Sequence, residues 1–216
     1  MISALPYGAA VRAWFSAGTA TVFAADVDAA DVARAREGDE SAFAALVGRH
    51  EGEIYRTCLR LLRDPDDALD ATQETFLRAY RGLARFRGEA KFRTWLFGIA
   101  LNACRNRLTS AHSRARRRMG SLQGALDDNG ESIELPLPDP APGPEANAYS
   151  SELRRALQGA LAAIAAEHRE VLVLREIEGL EYAELAGVLG IAEGTVKSRL
   201  ARARAALRAA LEEVWP

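Results

Sequence analysis

The residues best equipped for chemistry lie near the C-terminus. Between Thr195 and Ala209 there are five cations (Lys197, Arg199, Arg202, Arg204, Arg208) and no carboxylate. On a 3.6-residue wheel Val196, Leu200, Ala203 and Leu207 form one apolar stripe, which packs inward. The opposite face centres on Gly194, Ser198, Ala201 and Ala205, all small, with Lys197 and Arg208 on one rim and Thr195 and Arg202 on the other. Small residues let a backbone come close to a groove wall, and long cations at the rims reach phosphates or guanine edges. Arg199 and Arg204 lie nearer the core boundary, where their aliphatic stems support the fold. A bare charge run is commonly a solvated face; here "LGIAEG" precedes it as a tight turn after a short helix, the pattern of a helix-turn-helix. The chemistry on offer is recognition of a polyanion.

Two further clusters stand in the first half. Asp70, Gln73, Glu74 and Leu77 recur at i, i+3, i+4, i+7 and form one acidic–amide stripe on a helix. Trp95, Asn102 and Asn106 form another, with Arg105 beside it. A stacking platform, amide edge readers and a phosphate partner are what single-stranded nucleic acid asks for. Catalysis has no comparable set. Cys58 and Cys104, and His50, His112 and His168, are scattered in sequence. No metal-spaced ligands, paired carboxylates, nucleophile–histidine arrangement or glycine-rich phosphate loop can be found, so neither an enzyme nor a cofactor is expected.

The elements that must position these groups are nearly all helical. The chain has 216 residues, 49% hydrophobic and 27% charged, with a net charge of −2. Whole-chain charge does not advertise a nucleic-acid partner, so local clusters must meet one. Ala, Leu, Arg and Glu dominate, and β-branched runs are rare. Five of the eight prolines fall in "LPLPDPAPGPE", which can continue neither a helix nor a sheet ladder. The expected organisation is all-α. An N-terminal extension (1–25) precedes a helical domain (26–111), an acidic Pro-rich linker (112–149) and a second helical domain (150–216). The linker opens with Arg114, Arg116, Arg117 and Arg118 and then turns acidic. Expected helices are 40–62, one beginning at Pro65 behind the cap Asp64, 92–109, 151–165, 167–177, 181–188 and 193–211. Leu69, Phe76, Tyr80 and Leu83 are expected as the core stripe of the second of these. The extension lacks the basic start of a secretory signal, and no run of about 18 apolar residues offers a membrane span. A reducing, cytoplasmic setting and no membrane insertion are expected.

The segment "LREIEGLEYAELAGVLGIAEGTVKSRLARARAAL" resembles region 4 of bacterial sigma factors of the extracytoplasmic-function (ECF) group of the sigma-70 family. "DATQETFLRAY" resembles their region 2.2, and "FRGEAKFRTWLFGIALNACRNRL" their region 2.3 with its −10 specificity loop. The resemblance covers residues 35–211 in the family's order, with no third DNA-binding domain between. It implies a sigma region 2 bundle and a sigma region 4 helix-turn-helix. It also implies a factor that binds core RNA polymerase, reads the −35 element as duplex and captures the −10 element as single strand. The −35 contacts would be Thr195, Lys197, Ser198, Arg199, Ala201 and Arg202. The −10 pocket would be Phe86, Arg87, Gly88, Glu89, Ala90 and Lys91, with Trp95, Asn102 and Arg105. Asp70, Gln73, Glu74 and Leu77 would dock on the clamp helices of the polymerase's largest subunit, and the second domain on its flap region. An anti-sigma factor is implied as a further partner, and no homo-oligomer. Position 192, often Ser or Pro in the family, is Ala here, which forgoes a capping hydroxyl worth about 1 kcal/mol. The alternative is a stand-alone helix-turn-helix regulator whose first domain senses or dimerises; the two stripes of the first domain argue against it.

Overall fold

The structure, a computed structural model, describes residues 27–119 and 155–214, with side chains from 27 to 110 and from 155 to 213. The expected extension and the proline-rich stretch of the expected linker lie outside the described residues. All regular structure among the described residues is helical.

Helix α1 (Ala29–Arg36) leads into α2 (Glu40–Leu62). Asp39 starts α2: its carboxylate accepts from the backbone N–H of Ser41 and Ala42, two donors that the first turn cannot satisfy itself. Helix α3 (Pro65–Gly82) begins as its sequence predicts. Asp64 accepts from the Asp67 N–H at 2.8 Å, and Pro65 takes the first helical position, where no N–H is needed. A 3-10 turn (Leu83–Arg85) and a loop then lead to α4 (Phe92–Met119). This helix runs ten residues beyond the expected end at 109, because "SAHSRARRRM" contains no glycine or proline to stop it.

The second domain opens on α5 (residues 155–163). Helix α6 (Ala166–Leu172) passes into a π-helical turn (Val173–Ile177), sealed by the Glu178 N–H on the Val173 carbonyl at 3.0 Å. The chain leaves through Gly179 at φ 72°. Helix α7 (Tyr182–Leu189) has a reciprocal capping box between Glu181 and Glu184 and stops at Gly190, whose φ of 68° suits a residue without a Cβ. Helix α8 (Glu193–Val214) comes at once, with no side-chain cap available from Ala192.

In the first domain α2, α3 and α4 pack round Leu46, Ile54, Leu61, Phe92, Leu96 and Phe97, each 3% exposed or less. In the second, Leu172, Leu174, Leu185, Val196 and Leu200 fill the centre. The two cores form one continuous buried cluster, so the domains are packed against each other. One expectation fails on α3. Phe76 and Leu83 are buried, but Leu69 and Tyr80 are half exposed, at 50% and 52%. The buried face of α3 is made of Ala68, Ala71, Thr72, Thr75, Phe76 and Ala79 instead. Thr72 and Thr75 pair their hydroxyls with the carbonyls four residues back, both at 2.7 Å, so no buried donor is left over.

Candidate nucleic-acid interface

Helix α8 is anchored by Val196, Leu200, Ala203 and Leu207, all 5% exposed or less. That anchorage leaves Thr195, Lys197, Ser198, Ala201 and Arg202 together on the exposed face. The structure divides the cations. Arg199 is only 18% exposed and lies 3.6 Å from Glu167; Arg204 is bonded to Glu176. Lys197 forms an exposed pair with Glu193 at 3.0 Å and lies over the Tyr182 ring. Arg202 meets only the Ser198 carbonyl at 3.4 Å, and no carboxylate faces it among the described residues. Exposed pairs such as Lys197–Glu193 are worth little and exchange readily for a phosphate.

In the first domain, the loop from Arg87 to Lys91 is exposed throughout. It starts at Phe86, which stacks on Trp95 with ring centres 4.9 Å apart; Phe92 closes the trio at 5.8 Å from Trp95. Gly82 comes so close to this indole that an added Cβ would lie 3.2 Å from it. The loop therefore sits on an aromatic shelf of which Trp95 is partly buried, and Asn102 is exposed further along α4. Arg105 is placed differently from a waiting phosphate ligand. It makes a two-pronged bond to Glu170 of α6, 2.7 and 2.9 Å. Thr94, one residue from Trp95, donates to Glu184 of α7 at 2.8 Å. Arg107, from the same stretch, is held between Asp67 and Asp70 of α3 at 3.1 and 3.2 Å.

Asp70, Gln73, Glu74 and Leu77 line one open depression on α3 together with Arg78, Arg81 and Arg107. Glu74 is bonded to Arg78, and Leu77 is 57% exposed. With Leu69 and Tyr80 it makes an apolar stripe alongside the acidic one, a surface more typical of a protein contact than of a solvated helix.

Several groups that shape these surfaces have no local signal in the sequence. Glu178 is 4% exposed, and its carboxylate meets Thr57 at 2.7 Å, Arg60 at 3.2 Å and Arg93 at 3.8 Å. Burial pushes this carboxyl above the usual carboxylate range, against the Thr57 hydrogen bond and the Arg60 charge. Arg169, 8% exposed, donates to the carbonyls of Leu161, Ala162 and Ile164 and, across the domains, to that of Leu61. His50, buried on α2 beside Phe92, bonds Asp28 at 2.8 Å and lies 3.8 Å from Glu53. Burial alone would lower its pKa; the two carboxylates outweigh that and raise it to about 9. Cys58 and Cys104, far apart in sequence, are buried side by side as free thiols. No group of His, Cys, Asp or Glu suited to a metal occurs among the described residues, and no described helix is long and apolar enough to cross a membrane.

Residues 46–117 match the family described as Sigma-70 region 2, and residues 154–207 match Sigma-70, region 4. The chain is 36% identical over 181 residues to the RNA polymerase sigma-H factor of Pseudomonas aeruginosa, covering 84% of this chain and 92% of that one. It is also 36% identical to the ECF RNA polymerase sigma-E factor of Haemophilus influenzae, covering 82% and 91%. Among solved structures, that of CnrH in complex with the cytosolic domain of CnrY matches with a TM-score of 0.60 and 29% identity, over 86% of this chain and 97% of the other.

Proposed function

The chain belongs to the ECF group of the sigma-70 family, and on that premise we propose that it is a transcription initiation factor that carries core RNA polymerase to promoters. One observation carries this reading: Thr195, Lys197, Ser198, Ala201 and Arg202 stand together on the outer face of a helix whose other face is fully anchored. Helix α8 enters the major groove of the −35 element, its small residues against the groove wall. Arg199 supports that helix from its half-buried edge and reaches a backbone phosphate. The −10 element is read as single strand. Arg87, Gly88, Glu89, Ala90 and Lys91 close over a flipped base, Phe86 and Trp95 form its floor, and Asn102 and Arg105 hold the strand beyond it. Extracting a base costs a few kcal/mol of unstacking, which stacking and edge contacts recover.

The face of Asp70, Gln73, Glu74 and Leu77 takes the clamp helices of the polymerase's largest subunit, and Leu69 and Tyr80 extend that contact. The second domain meets the flap region. The chain makes and breaks no bonds itself; the polymerase does the chemistry, in the cytoplasm. No self-assembly is needed. That CnrH was solved in complex with a second protein supports a protein antagonist, of the anti-sigma class, for this chain as well.

The deciding experiment is transcription in vitro with purified core polymerase and genomic DNA, with and without the chain, and mapping of 5′ ends. New starts preceded by one recurrent −35/−10 pair are expected. Core enzyme that gains no new start sites would refute the proposal. Dimeric binding to palindromic duplex without polymerase would replace it by a stand-alone regulator.

A further inference from the structure

Two reactive side chains of the first domain face neither nucleic acid nor polymerase. Cys58 on α2 and Cys104 on α4 are 0% and 1% exposed. A tight gap lined by Leu61 and Leu108 ends on Cys104, and Leu61 lies one turn beyond Cys58 on the same buried face of α2. The two thiols are within hydrogen-bonding reach of each other. Packed helices lie about 8–10 Å apart, axis to axis, and each Cα stands about 2.3 Å off its axis, so facing Cα atoms approach to about 3.5–5.5 Å. Ala100, one turn before Cys104 and also buried, allows such close packing. A disulfide asks for about 4.4–6.8 Å between its Cα atoms, so α2 and α4 need little movement to be bridged here. Two thiols alone do not make a metal site.

The surroundings treat the two sulfurs differently. The hydrogen bond from Cys104 lowers the pKa of Cys58, and the Arg107 charge acts in the same direction against burial. The same hydrogen bond, with burial added to it, raises the pKa of Cys104. One sulfur is thus disposed to act as a thiolate while its neighbour holds a proton beside it. An oxidisable thiol with a resolving partner needs that asymmetry.

We infer that Cys58 and Cys104 form an oxidative modification site, at which a hydroperoxide joins α2 to α4 by a reversible disulfide inside the first domain. The Cys58 thiolate attacks one oxygen of the hydroperoxide. The O–O bond breaks, the other oxygen leaves and takes up a proton as alcohol or water, and Cys58 becomes a sulfenic acid. The Cys104 sulfur then attacks the Cys58 sulfur. The S–S bond forms, and the sulfenic oxygen departs with the Cys104 proton as water. Two thiols lose two electrons and two protons, and the hydroperoxide gains them. Because the resolving thiol is in place, oxidation stops short of the irreversible acids, and a thiol reductant restores both cysteines. Both sulfurs are buried, so the rate is set by local opening of the core. The bridge fastens α2 to the helix that bears Trp95 and Asn102. It rests on the packing of the first domain and stands apart from the sigma-factor reading.

The test exposes the reduced, folded full chain to hydrogen peroxide, removes the excess with catalase and counts thiols after denaturation. Both thiols should be lost, and trypsin should release residues 57–60 joined to residues 94–105 as one disulfide-linked species. The thermal midpoint should rise by about 5–10 °C, because the cross-link restricts the unfolded chain. Dithiothreitol should reverse both changes. Cys104→Ala should leave Cys58 as a sulfenic acid that dimedone captures, and Cys58→Ala should leave Cys104 unoxidised over the same interval. Circular dichroism during the exposure establishes that the chain stays folded; where an alanine variant does not fold, the linked peptide of the parent decides. Two thiols surviving in the folded parent, bridges only between separate chains, or sulfonic acid on Cys58 without the linked peptide would each overturn the site.

Discussion

Replacing Arg169 tests how much of the second domain hangs on one side chain. Its guanidinium bonds the carbonyls of Leu161 at 2.7 Å, Leu61 at 2.9 Å, Ala162 at 3.0 Å and Ile164 at 3.2 Å. Three of these belong to the end of α5 and the residue just after it, where helical carbonyls have no partner of their own. Arg169→Met keeps most of the stem and removes every donor. The carbonyls of Leu61, Leu161 and Ile164 are buried, and an unpaired buried acceptor costs about 1 kcal/mol or more, so about 3 kcal/mol should be lost. Part of that is offset because a buried cation no longer has to be desolvated. Arg169→Lys keeps the charge but cannot fork to carbonyls on opposite sides, and should recover about half. Urea unfolding monitored by far-UV circular dichroism measures both. A Met variant within about 0.5 kcal/mol of the parent would refute the reasoning, since that is the scatter of ordinary surface substitutions.

The same geometry sets other outcomes. His50 has a folded pKa of about 9 against 6.5 unfolded. The stability it contributes is therefore fully present below pH 6.5 and lost as pH rises through 9. About 2 kcal/mol should disappear across that window after allowance for screening, and His50→Gln should flatten the pH dependence of urea unfolding. Trp95→Ala should weaken strand opening at a −10 element by about 1–3 kcal/mol in permanganate footprinting while leaving −35 dependence intact. Lys197→Ala and Arg202→Ala should each reduce the salt slope of promoter binding by about 1, whereas Arg204→Ala, already paired with Glu176, should change it less.

Local devices are legible in the sequence. The cap Asp64 with Pro65, the turn at Gly190 and the inward stripe of α8 all express rules that operate within a few residues. The stripe of α3 misleads for a physical reason. The large apolar residues Leu69 and Tyr80 draw the eye to a core, but α2 and α4 pack against the smaller face of alanines and threonines. That close packing frees the large residues for another contact. At the candidate site, the grouping of Asp70, Gln73, Glu74 and Leu77 and the exposed face of α8 can be anticipated from spacing. The partners of Arg105, Thr94 and Glu178 cannot. Thr57 and Glu178 are 121 residues apart, and no periodicity connects an acid at the end of one helix to a hydroxyl on another.

The π-helical turn at Val173–Ile177 gives this part of the chain a tolerance of shortening that a regular helix lacks. Five residues there are wound wider than α-helical geometry, and Glu178 takes its bearing from the last of them. Deleting one residue would let the turn tighten into regular α-helix: five residues at about 80° and four at about 100° sweep nearly the same angle, so the downstream residues keep their bearing. The apolar packing upstream would survive, and Glu178 would still face Thr57 and Arg60. The same deletion in the regular turns of α6 would rotate everything after it by about 100° and take Glu178 off its partners, so the wide turn is where this part of the chain can lose a residue.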